Sequence, residues 1–231
     1  MISIRSLDLP AVDELGPRAR RCTYWQTDST AGEPTPGDPE FEKEAWISHV
    51  SLEWGVCGQL AQAGDTITGA AFYSPPGMVP RASRFPTSPV GSDAILLAGM
   101  LAEEGAPSGI FTWLLDAVLV DLRRRGIKAI EAFGLTSEDP RDEASRDDCG
   151  AESCMTPTAF LVEHGFTVVQ DHEKFPRLRL DIESEHQWQA DVERALDQLF
   201  AERGLAHRKV GALTGASARS GINPVGSARS G

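Results

Sequence analysis

The chain has 231 residues, 41% of them hydrophobic, with a formal net charge of −12 and a pI near 4.9. That balance argues against a general nucleic-acid binder, which needs a basic face for phosphates. No apolar run is long enough for a bilayer, the N-terminal MISIRSLDLPAVDELG does not read as a signal peptide, and four scattered cysteines suit a reducing compartment, so the expected location is the cytoplasm.

Along the chain, the alternation within Ile2–Leu7 predicts a first strand, and Pro10–Cys22 a short helix broken near Gly16-Pro17. Thr27–Pro39 reads as a loop. Asp38 as N-cap and Pro39 at the first helical position then start a helix over Glu40–Trp54. Val56–Ala63 and Thr66–Tyr73 are strand-like, and Gly64-Asp65 suits the hairpin turn between them. Ser74–Pro89 holds five prolines and is expected to be extended loop.

The most informative stretch is Asp93–Gly134. It predicts a buried strand (Ile95–Leu101), a glycine-bearing turn (Glu103–Gly109), a long apolar helix (Ile110–Arg125) and a second strand (Ile127–Phe133). Such a turn presents backbone N–H groups at the positive end of a helix dipole and binds phosphates without any particular side chain. Alone it is also an ordinary strand-to-helix connection.

Farther on, Thr156-Pro157 is expected to start a short helix capped by Gly165, followed by strands Phe166–Gln170 and Arg177–Ile182. In the last, Leu178, Leu180 and Ile182 alternate with Arg177, Arg179 and Asp181, predicting one buried and one wet face. Gln187–Glu202 has helical spacing. Gly204–Gly231, with SARSG twice, four Lys or Arg and no acid, reads as a disordered basic tail. The acid-rich loops Asp28–Glu44 and Glu138–Glu152 are either solvated surface or a lure for a cationic, amine-bearing substrate.

This order of elements resembles the GNAT fold of the Gcn5-related N-acetyltransferases, over roughly residues 1–183. Three segments carry the likeness: the central unit ILLAGMLAEEGAPSGIFTWLLDAVLVDLRRRGIKAIEAF, FLVEHGF at Phe160–Phe166, and FPRLRLDI. It is nearest a poorly characterised actinobacterial branch with Cys–x–x–Pro before FL…GF and then PRLRL. The resemblance implies an α/β fold with a mixed, mostly antiparallel central sheet flanked by helices. With the helix Gln187–Glu202 added to it, one such domain is expected over residues 1–203, with the tail at 204–231.

The resemblance also implies acetyl-CoA, or another short acyl-CoA, as co-substrate; the spacing of Cys149, Cys154, His164 and His172 matches no zinc pattern, so no metal is expected. The family holds the coenzyme on a turn of the form (Arg/Gln)-x-x-Gly-x-(Gly/Ala). Here the turn falls on Ala106, Pro107, Ser108, Gly109, Ile110 and Phe111. Gly109 matches; Ala106 and Phe111 depart, and Phe111 either crowds the phosphates or turns its ring away. Thr112 adds a hydroxyl, and the backbone of Leu101 and Ala102 faces the pantetheine.

The family's frequent tyrosine acid is Leu161 here, and the glutamate of its histone-type branch is Ile95. Asp93 is then the candidate base, and Cys154, near a helix start that acidifies thiols, the candidate acid or transient acyl carrier. A surface role for Asp93 and a packing role for Cys154 stand beside these readings. Tyr73 and His172 are expected near the cleft or acceptor pocket. The implied activity is acyl transfer to an amine, on a small molecule or a protein, by direct attack in a ternary complex. A non-catalytic acyl-CoA-binding module is the alternative, and pairing of the chain with itself is left open.

Overall fold

The computed structural model describes residues 2–27, 37–136 and 154–182. The loop Glu138–Glu152, the predicted helix Gln187–Glu202, the tail and most of the loop after Thr27 lie outside them. Strand β1 (Ile2–Ser6) leads through a 3-10 turn (Leu9–Glu14) into helix α1 (Pro17–Arg21), and then come α2 (Pro39–Glu53), β2 (Gly58–Ala63) and β3 (Thr66–Ser74). The central unit is β4 (Ala94–Ala102), α3 (Ile110–Arg124) and β5 (Ala129–Leu135). Then follow β6 (Thr156–Pro157), α4 (Thr158–Glu163), β7 (Thr167–Gln170) and β8 (Arg177–Asp181).

Local chemistry sets these bounds. Asp38 accepts the Glu40 N–H, and Pro39, whose missing N–H costs nothing at a helix start, opens α2. Gly64, at φ +61°, turns the β2–β3 hairpin. Ser74–Pro89 is not wholly extended: Pro76–Met78 and Pro80–Arg84 form short 3-10 helices, because proline's fixed φ suits a first helical position. Thr156-Pro157 does not begin the following helix. Those residues pair with Gly134 and Leu135 of β5, and α4 starts at Thr158.

The strands form one mostly antiparallel sheet in the order β1-β2-β3-β4-β5-β8-β7, with β6 beside β5. Only β4–β5 and β5–β6 are parallel. One face packs on α3 through Leu97, Ile110, Leu114, Val118, Leu122 and Ile130. The other buries Trp25, Trp46, Phe72, Phe85 and Phe133 under the first helices and the long β3–β4 connection. No helix among the described residues is long and apolar enough to cross a membrane.

The centre of β4 is broken by a bulge. Ala94, Leu96 and Ala98 face one core and Ile95 and Leu97 the other, but after Gly99 the phase changes: Met100 joins the second and Leu101 the first. The register with β3 slips at the same place, from Tyr73↔Leu97 to Ala71↔Met100. Gly99 sits at φ +112°, a conformation that a β-carbon disfavours.

The predicted wet face of β8 is an ion cluster instead. Glu131, directly opposite Arg179 in the β5–β8 register, is buried and pairs with both Arg177 and Arg179. A carboxylate buried that deeply persists only with such partners. Arg177 also donates to the Thr87 carbonyl, tying the β3–β4 connection to the sheet.

Candidate functional site

Strands β4 and β5 are hydrogen-bonded only where Ala94, Ile95 and Leu96 meet Ala129, Ile130 and Glu131. Beyond that they part. At the open end β4 runs into the turn before α3, and a cleft of about 830 Å³ lies between that turn, α1, β6 and α4. Ala102, Ala106, Pro107, Ser108, Gly109, Ile110, Phe111 and Thr112 all line it. Leu101 does not: its side chain is buried in the aromatic core and its backbone pairs with Ala70.

The turn is built to leave donors exposed. Gly109 takes φ +83° and lets the chain swing into α3. The Ile110 N–H returns to the Pro107 carbonyl and the Trp113 N–H to Gly109. No bond among the described residues takes up the N–H groups of Phe111 and Thr112, since a first helical turn has no intrahelical acceptors. Both residues line the cleft, at the positive end of a 15-residue helix.

Phe111 does not lie over these donors. Its ring packs edge-to-face on Phe160 of α4, with centroids 6.1 Å apart. Phe160 stacks in turn on His164 at 4.0 Å. His164 is fastened at both nitrogens, Nδ1 to the Phe160 carbonyl at 2.8 Å and Nε2 to Thr112 Oγ1 at 3.0 Å. The cleft wall is thus aromatic on the α4 side and polar at the helix start.

Arg18 of α1 also reaches the cleft and donates from Nη1 to the Ala102 carbonyl at 3.2 Å. Glu103 accepts the backbone N–H groups of Arg18 and Ala19 at 3.3 and 3.0 Å and so caps α1 from outside it. Gly16 leaves room for that carboxylate: a β-carbon there would lie 2.3 Å from Glu103 Cδ.

The inner end of the splay is occupied. Trp25 donates from Nε1 to the Cys154 carbonyl at 3.1 Å, and its ring packs beside the stacked Phe85–Phe133 pair. A β-carbon at Gly99 would meet that same carbonyl at 2.8 Å. Tyr24 reaches Met155, which forms part of the cleft floor.

Neither predicted catalytic side chain is brought to the cleft. Asp93 precedes β4 at the end remote from Ala102, about 30 Å along the strand. It is gripped by Arg179 at 2.8 and 3.0 Å, and that guanidinium holds its carboxyl down at about 2. A base for amine chemistry needs a value near the working pH, and Asp93, paired with Arg179 outside the cleft, does not meet that need. Cys154 lies four residues before α4, not at its start, and its thiol is buried 2.9 Å from Cys22 Sγ. The dipole argument for an acidic thiol therefore lapses.

Tyr73 is also displaced. It is buried on the α3 face, donates to Asp121 at 2.7 Å, and burial pushes its hydroxyl pKa far up. His172 accepts the Lys174 and Phe175 N–H groups and shapes its own turn. Sequence reading missed Arg18, whose only signal is a basic residue beside a proline-started helix. It also missed His164 as a cleft residue, although His164 stands just before Gly165, in the helix end that carried the resemblance.

No protein-family model matches the sequence, and no curated protein sequence matches it. Solved structures do match. The loading GNATL domain of CurA from Lyngbya majuscula superimposes with a TM-score of 0.50 at 13% identity, covering 79% of this chain and 98% of that one. The chain has the GNAT fold. An N-acetyltransferase from Staphylococcus aureus Mu50 gives a TM-score of 0.49 at 15% identity, covering 79% and 99%. The PaiA N-acetyltransferase from Thermoplasma acidophilum in complex with coenzyme A gives 0.44 at 16%, covering 78% and 99%. Within this GNAT fold, the cleft opens at the splayed β4–β5 end and the N-terminus of α3.

Proposed function

We propose that the protein is an acyltransferase that binds acetyl-CoA, or another short acyl-CoA, in this cleft and passes the acyl group to an amine. The observation that carries the reading is the open N-terminus of α3, with free N–H groups at Phe111 and Thr112, where β4 leaves its partner in a GNAT fold. The turn fits a pyrophosphate: Gly109 removes side-chain bulk, and the Phe111 ring stands aside on Phe160. The coenzyme supplies an activated thioester. The chain supplies position and exclusion of water, through Met100, Ala102 and Met155 on the cleft walls. Direct attack in a ternary complex needs no acyl carrier, which agrees with a Cys154 thiol turned toward Cys22.

A second reading is a module that binds acyl-CoA and does not turn it over. The ring of Trp25 filling the inner splay favours it, as does the apolar Leu161 at the position of the family's tyrosine. Calorimetry with acetyl-CoA, followed by thiol release over a panel of amines, separates the readings. Binding with release supports the transferase. Binding without release on every amine supports the module, and flat heats at millimolar coenzyme remove both.

A further inference from the structure

The two bonds of His164 fix where its proton sits. The Phe160 carbonyl can only accept, so Nδ1 carries hydrogen. In a neutral ring Nε2 is then a lone pair, and the Thr112 hydroxyl donates to it across 3.0 Å. That spends the only proton of Thr112 on the histidine and leaves hydroxyl lone pairs facing the cleft. An arriving phosphate oxygen would meet an acceptor where it needs a donor. A protonated ring reverses the bond: Nε2–H donates to Oγ1, and the hydroxyl proton is free for the anion.

We propose that His164 takes up a proton when the cleft binds a phosphate-bearing ligand, so that a His164–Thr112 relay makes acyl-CoA affinity depend on pH. The inference rests on the acyl-CoA reading of the cleft. The relay runs from the imidazolium through the Thr112 hydroxyl to a phosphate oxygen beside the Phe111 and Thr112 N–H groups. His164 acts through Thr112 and is a positioning residue.

The surroundings contribute with both signs. Glu163 and Glu103 line the same cleft and favour the protonated ring, whereas Arg18 opposes it. Asp116, exposed on α3, stands one turn beyond Thr112. Among the described residues none of these is hydrogen-bonded to the ring, whose partners are Phe160 and Thr112. The bound phosphate is the addition that drives proton uptake.

The sign follows from linkage. Binding that favours the charged ring takes up a proton from solution, so affinity falls as pH rises. CoA affinity is therefore expected to fall by about tenfold from about pH 6 to pH 8, with up to about one proton taken up per CoA near pH 7.

The test is calorimetry of CoA binding to the full chain at those pH values, in buffers of different protonation enthalpy. Subtracting His164→Gln, which keeps a polar group but cannot titrate, cancels the ionisation of CoA itself. The wild-type excess in proton uptake should vanish in that variant. Thr112→Val should bind at all pH values as weakly as wild type does at about pH 8. Nitrogen-15 spectra of the wild-type histidines need no variant, and should show the Nδ1–H tautomer turning to imidazolium on CoA addition at neutral pH. CoA binding with proton uptake equal in wild type and His164→Gln, or an imidazole that stays neutral, overturns the relay and leaves the cofactor reading intact. Flat heats at every pH overturn both.

Discussion

The two ends of the β4–β5 pair are built on opposite plans. At the closed end the strands are hydrogen-bonded and side chains do the holding: buried Glu131 engages Arg177 and Arg179, and Arg179 engages Asp93 and Asp181. At the open end the strands part, and the cleft is made by what the backbone leaves unpaired. Charged side chains gathered at the closed end are thus a clamp, and the open end presents bare N–H groups. The bulge at Gly99 divides the two regimes, since it shifts the phase of β4 midway along its length.

The largest effect is expected at the closed end. Glu131→Ala leaves two partly buried guanidinium groups short of their carboxylate, and breaking a buried ion network in this way costs about 3–5 kcal/mol. Urea unfolding should show the midpoint falling by that measure. A small loss would mean that the clamp is ornamental and that the contrast between the two ends is false.

Gly99→Ala probes the boundary. The new β-carbon meets the Cys154 carbonyl, a backbone atom, at 2.8 Å, and the residue keeps a positive φ. A cost of about 2–3 kcal/mol is expected, because both the strain and the contact must be relieved by moving β4 away from the segment before β6. Tryptophan fluorescence should report the change, since Trp25 touches the same carbonyl.

At the open end Gly109→Ala is expected to cost only about 1 kcal/mol in stability, because it strains φ but has nothing within 4 Å to strike. Its effect should fall on CoA affinity. Loss of affinity by tenfold or more in a protein that melts almost normally would place the coenzyme at this turn. Unchanged affinity would move it elsewhere.

This division explains which features the sequence makes legible. Periodicity finds α3 and its apolar face, and Asp38-Pro39 announces α2, because each signal is local. The turn Ala106–Thr112 is legible as a glycine between a strand and a helix. The clamp is not: Glu131, Arg177, Arg179 and Asp93 meet only through the β5–β8 register, and alternation alone reads two arginines as a wet face. The same limit hid Arg18 and the Thr112–His164 bond, which join residues 52 apart in the chain. Cys154 before a short helix and Tyr73 at a hairpin end both have positions that suit the cleft, but burial turns both side chains inward, which no local signal shows.

The smallest effect is expected from Asp93→Asn, and it tests the contrast most directly. A depressed carboxyl contributes stability that is present above the unfolded range, near ~3.9, and is lost as pH falls through about 2. Wild type and variant should therefore differ at neutral pH by no more than an exposed ion pair allows, and their acid-unfolding curves should draw together below about pH 2. Turnover, if an amine substrate is found, should keep its rate and its pH profile, because a group that remains ionised from about pH 4 upward shapes no profile near neutrality. A folded variant without activity would put chemistry at the closed end after all. The Arg179 grip would then be a way of orienting Asp93, and the open cleft would only hold the coenzyme.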